Sequence, residues 1–181
     1  MLDYSKNYFE LFGLPLSFAV DAKRLAERYL ALQGLSDPDR FAVAADHEKR
    51  VPYRASTQVK EAYRTLKDPL ARARYLLGLY DPDPGAECDT RPDGAFLMER
   101  MELGAILAAA CNGPNPGAAV ARVLTQLAER SAALDKKLEG LFADPTEANL
   151  ATAREILRQL EFLDLCRRDA EGLDVRLDQR C

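Results

Sequence analysis

The chain has 181 residues, 48% hydrophobic and 30% charged, with a net charge of −4. That suffices for one or two small domains with a real core, and it excludes a disordered composition. No apolar run approaches the ~18–20 residues that span a bilayer, and no dense basic stripe is present to track nucleic acid.

The opening MLDYSKNYFELFGLP is acidic and lacks a basic segment leading into an apolar one, so no signal or transit peptide is read and a cytoplasmic location is expected. Residues 1–80 carry a net charge of +3 and residues 81–181 a net of −7. A basic head on an acidic tail fits two surfaces with different partners, or ordinary variation between two domains.

Period-two alternation is absent and helical periodicity runs nearly throughout, which predicts an all-α fold. A short first helix is expected from Lys6 to Phe12, closed by Gly13 and Pro15. A second starts at the N-cap Asp21 and ends at Gly34, with Ala22, Leu25, Ala26, Tyr29 and Leu32 on one side and Lys23, Arg24, Glu27 and Arg28 on the other. Leu35 to Arg40 reads as a loop, because Pro38 disfavours helix at Asp37.

A third helix runs to Leu66 through Ala55, Val59, Ala62 and Tyr63, with Pro52 near its start. Asp68-Pro69 opens a fourth as cap and first helical residue, with Leu70, Ala73, Leu77 and Tyr80 as its stripe. Asp81-Pro82-Asp83-Pro84-Gly85 is a linker. A fifth helix is expected from Asp93 to Ala110, and Asn112 to Gly117 breaks the pattern. The sixth carries Val120, Val123 (or Leu124), Leu127, Leu134, Leu138 and Leu141. The seventh opens at Asp144-Pro145 and carries Leu150, Ala153, Leu157, Leu160, Leu163, Cys166, Ala170, Leu173 and Leu177. Three amphipathic helices after the linker can bury their stripes only against one another, which predicts a mostly antiparallel three-helix bundle.

Catalytic chemistry is not indicated. Cys88, Cys111, Cys166 and Cys181 form no short-spaced pair, so no metal site and no cofactor are expected. The one histidine, His47, lies in a charged stretch without a nucleophile motif, and no Gly-rich phosphate loop exists. The fifth helix stands out instead. On a helical wheel, Phe96, Leu103, Ile106, Leu107 and Ala110 share one face, while Leu97, Met98, Met101, Glu102 and Ala105 share another. A bundle needs one apolar face, not two. The second suits a partner, with methionines that adapt to its shape; it also suits packing against the first domain, or self-association. Phe162, about one residue off its own stripe, is a candidate for the same patch.

The first eighty residues resemble a J domain. Ala62-Tyr63, Leu66, Asp68-Pro69, Arg72 or Arg74 and Tyr75 repeat that family's alanine–aromatic, leucine, Asp-Pro, arginine and tyrosine order. The whole chain is similar to the HscB branch. Asp3-Tyr4 and Tyr8-Phe9-Glu10-Leu11-Phe12-Gly13-Leu14-Pro15 resemble its opening. Ala95 to Leu103 resembles its segment after the linker, and Glu161-Phe162-Leu163-Asp164 one near the end.

The resemblance implies a J domain at 1–80, a linker at 81–91 and a bundle at 92–181. It also implies a co-chaperone of iron–sulfur cluster assembly that stimulates a DnaK-type (HscA-like) chaperone and binds an iron–sulfur scaffold (IscU-like). Some eukaryotic relatives add an N-terminal cysteine-rich module; this sequence fits the bacterial-type form. The implied chaperone contacts are Lys23, Arg24, Arg28, Asp37, Pro38, Asp39 and Arg40. The implied scaffold contacts are Leu97, Met98, Met101, Glu102 and Phe162.

One departure bears on function. J domains carry His-Pro-Asp after their second helix, and here the residues are Asp37-Pro38-Asp39. Imidazole donates a hydrogen bond and can be cationic, whereas an aspartate only accepts and is anionic near neutral pH. Three explanations stand: a chaperone changed to match, a J domain that no longer stimulates, or a loop in which Asp37 only caps a turn.

Overall fold

The computed structural model describes residues 6–35, 46–81, 94–111, 113 and 115–178. Among these residues there are seven helices and no strand. The chain divides into two compact units, 1–79 and 80–181.

The first unit opens with α1 (Tyr8–Phe12). It starts later than the pattern predicted because Asn7 takes the cap. The Asn7 side chain accepts from the Glu10 amide while Glu10 reaches back to the Asn7 amide, both at 3.0 Å. Gly13 ends it at φ 60°, a left-handed position that suits glycine. Leu14 N–H then bonds Phe9 C=O at 2.9 Å and Gly13 N–H bonds Glu10 C=O at 3.1 Å, satisfying two terminal carbonyls.

Helix α2 (Ala22–Leu35) begins at Asp21, whose carboxylate accepts from the amides of Lys23 and Arg24. It runs through Gly34 instead of stopping there, since one helical glycine costs only about 1 kcal/mol. Helix α3 (Asp46–Lys67) extends further toward its N-terminus than predicted and takes Pro52 into its interior, forgoing one backbone bond. Helix α4 (Pro69–Tyr80) starts as expected, with the Asp68 carboxylate accepting from Leu70 N–H at 3.1 Å.

Phe9, Phe12, Phe18, Leu25, Val59, Ala62, Leu66, Ala73 and Leu76 form the buried interior of this unit. Each large side chain among them contributes about 1.5–3 kcal/mol. Tyr75 ties α4 to α1: its ring stacks on Tyr8 at 4.3 Å and its hydroxyl accepts from Tyr8 N–H at 2.9 Å. Arg72 is buried, donating to Leu66 C=O at 2.9 Å with its guanidinium 4.9 Å from the centre of the Phe18 ring.

The second unit is a three-helix bundle of α5 (Gly94–Cys111), α6 (Pro116–Ala143) and α7 (Glu147–Asp178). α6 begins inside the segment expected to be a break, because Asn115 caps it and Pro116 fills the first helical position, where no amide hydrogen is needed. α7 begins after the expected Asp144-Pro145. The cap is Thr146, whose hydroxyl accepts from Asn149 N–H at 3.3 Å, while the Asp144 carbonyl accepts from Thr146 N–H and the Asn149 amide. So short a connection makes α6 and α7 antiparallel neighbours. One cluster of the bundle core joins Leu107 of α5, Val120, Val123 and Leu127 of α6, and Leu163, Cys166 and Ala170 of α7.

Candidate functional site

In the first unit, Lys23, Arg24 and Arg28 are exposed on α2, whose Leu25 is buried. The helix is held in rotation by Tyr29, which stacks on Tyr63 of α3 at 4.1 Å and accepts a hydrogen bond from Gln33 at 2.8 Å. Lys67 lies 5.8 Å from the centre of the Tyr63 ring. Leu30, 66% exposed beside the basic residues, was not singled out by the sequence. Asp37, Pro38, Asp39 and Arg40 lie outside the described residues.

In the second unit, α5 presents Leu97 (52% exposed), Met98 (65%) and Met101 (68%), with Glu102 also exposed. Ala105, Ala108 and Ala109 continue that face along the helix. Ile106, assigned by the wheel to the buried side, is instead 55% exposed. On a helix apolar all round, a wheel orders the residues but does not say which direction the bundle covers. The covered side holds Leu107, 2% exposed, and the half-buried Leu103. Phe162 is half-buried against the core cluster.

Beside the exposed face, Leu103 with Val123 and Leu127 of α6 line an open depression of about 450 Å³, bordered by Glu129 and Arg130. Two ion pairs fasten α5. Glu99 meets Arg130 of α6 at 2.6 Å, and Arg100 donates through Nε and Nη2 to Asp169 of α7 at 3.1 and 2.9 Å. The Cys166 thiol, buried in the core, is pushed above its ordinary 9.0 by burial and by Asp169 and Glu99, against Arg100 and Arg130. It is therefore an inert packing group near neutral pH.

Among the described residues no cluster of His, Cys, Asp and Glu is arranged to hold a metal ion, and no helix is long and apolar enough to cross a membrane. Among the described residues two exposed surfaces stand out, a cationic one on α2 and an apolar one on α5.

Residues 92–171 match the family described as the HSCB C-terminal oligomerisation domain. The Co-chaperone protein HscB homolog of Paraburkholderia xenovorans is 41% identical over 164 residues, covering 91% of each chain. Among solved structures, the chaperone HscB from Vibrio cholerae superposes with a TM-score of 0.83 at 34% identity, covering 95% of this chain and 99% of its own. The human co-chaperone protein HscB gives a TM-score of 0.80 at 29% identity, covering 96% and 85%.

Proposed function

The chain belongs to the HscB family of co-chaperones, and from that premise we propose that it brings an iron–sulfur scaffold protein of the IscU type to a DnaK-type chaperone of the HscA type in the cytoplasm. The observation that carries the scaffold half is the outward apolar face of α5, Leu97, Met98 and Met101 with Glu102 at its edge. Large apolar side chains more than half exposed on one helix mark a surface that a partner covers. Glu102 adds an acceptor for a donor on that partner.

The chaperone half rests on the J domain, with Lys23, Arg24 and Arg28 exposed on α2 as the attracting face. Arg40 and the Asp37-Pro38-Asp39 tripeptide complete the proposed contact. Holding both partners on one chain raises the effective concentration of each for the other, a gain of about 10²–10⁴ in apparent affinity when the geometry permits. Stimulated ATP hydrolysis then captures the scaffold, and the cluster passes to acceptor proteins.

A second reading is favoured by one residue. Asp37 stands where J domains carry histidine. It adds negative charge beside a contact that depends on positive charge, and like-charge juxtaposition costs several kcal/mol in rough terms. The chain would then be a scaffold-binding adaptor that does not stimulate hydrolysis. Steady-state ATP hydrolysis by the chaperone, with scaffold present, separates the two. Stimulation by the wild type supports the co-chaperone. Stimulation only by Asp37→His supports the adaptor. Stimulation by neither removes the chaperone half of the proposal.

A further inference from the structure

Helix α5 poses a problem of choice. The side it buries (Leu103, Leu107) and the side it exposes (Leu97, Met98, Met101, Ile106) are comparably apolar. Hydrophobic burial selects strongly between a polar and an apolar face, but only weakly between two apolar ones. Something else must select the face that turns outward.

Glu99 and Arg100 are adjacent, so their side chains leave the helix about 100° apart. Leu103 and Leu107, four and eight positions after Glu99, fall at angles between them. The two charges thus straddle the buried line, and each finds an opposite charge on a different helix: Arg130 on α6 for Glu99, Asp169 on α7 for Arg100. Because the signs differ, the arrangement is directional. Rotating α5 by one residue position toward α6 would carry Arg100 toward Arg130 and draw it away from Asp169. The buried Cys166 thiol feels all four charges, which places both pairs around the same section of the core.

We propose that Glu99–Arg130 and Arg100–Asp169 act as a pair of positioning clamps that set the rotation of α5, and so determine that Leu97, Met98 and Met101 are the face offered to a partner. Both pairs are largely exposed and each is individually weak. A weak term suffices here, because the alternatives it separates are similar in apolar burial. The inference rests on the reading of that face as the scaffold site only for its consequence; the rotation itself is testable without any partner.

The test is peroxide oxidation of Met98 and Met101 in the full chain, followed by mass spectrometry of their peptides, with circular dichroism as the folding control. Thioether oxidation follows exposure, so it reports which face is outward. Glu99→Gln, isosteric and uncharged, with Arg100→Gln, uncharged but shorter, should slow oxidation of the two methionines about twofold or more as rotated states become populated. About 1 M salt should shift the wild type the same way, since screening there acts within about 3 Å.

The charge-exchanged protein, E99R/R130E with R100D/D169R, should regain the wild-type rates, because it restores both pairs with their signs inverted. Unchanged methionine rates in the neutral variant with helicity retained would overturn the clamp. So would an exchanged variant that stays helical but fails to regain them. If the clamp holds and the scaffold still binds the neutral variant as tightly as wild type, the fault lies with the assignment of the scaffold site.

Discussion

Helices α5 and α7 lie in one bundle but are written differently. Along α7 the buried residues Leu150, Ala153, Ile156, Leu157, Leu160, Leu163, Cys166 and Ala170 follow helical spacing, and the remaining sides are rich in charge, with Leu165 an exposed exception. Several of its arginines and acids pair locally, Arg167 with Asp164 and Glu171 and Arg168 with Asp164, while Asp169 reaches Arg100 of α5. Along α5 the apolar residues go all the way round, and its two described ion pairs reach other helices. A helix whose apolar residues match what its neighbours cover is explained by the bundle alone. One that carries an excess is explained only by something the bundle does not contain.

The contrast can be broken most severely at α7. Leu163→Ala removes a side chain 2% exposed in the core and should cost about 2–5 kcal/mol, read from urea denaturation as a lower midpoint at unchanged slope. On α5, Leu107 is equally buried, and Leu107→Ala should cost about 2 kcal/mol, the lower end of that range, because a peripheral helix relaxes more easily into the cavity. A cost near zero would mean that α5 is not seated on the core as described.

A smaller effect comes from pH. Burial, with Asp169 and Glu99, holds the Cys166 thiol above its ordinary value, so the folded state retains the proton more firmly than the unfolded one. That contribution is fully present below the unfolded value and is lost as pH rises through the folded one. The denaturation midpoint should begin to fall as pH rises through the ordinary thiol range, about 8.5, and Cys166→Ala should flatten the decline. The least effect is expected on the outward face: Met98→Ala or Leu97→Ala should change stability by less than about 0.5 kcal/mol, because each side chain is at least half exposed.

The helices and their buried stripes were legible because amphipathic spacing is a local property. Boundaries were less so, because single caps decide them. Asn7 and Thr146 moved two starts later, and Asn115-Pro116 opened a helix inside an expected break. The outward face of α5 was readable from Leu97, Met98 and Met101. Ile106 was misplaced because an all-apolar helix leaves the covered direction undetermined by sequence. The ion pairs that bear on that direction join residues 31 and 69 positions apart, a distance no local pattern reports. The basic face of α2 was legible, while the tripeptide beyond it lies outside the described residues.

The measurement that goes most directly to the central claim is calorimetric titration of the iron–sulfur scaffold protein into the full chain, wild type against Leu97→Ala with Met101→Ala. The account predicts at least about tenfold weaker binding, or about 1.4 kcal/mol, with helicity and melting nearly unchanged. Equal affinity in a variant that folds normally would contradict it, and would leave the excess apolar face of α5 to some other occupant.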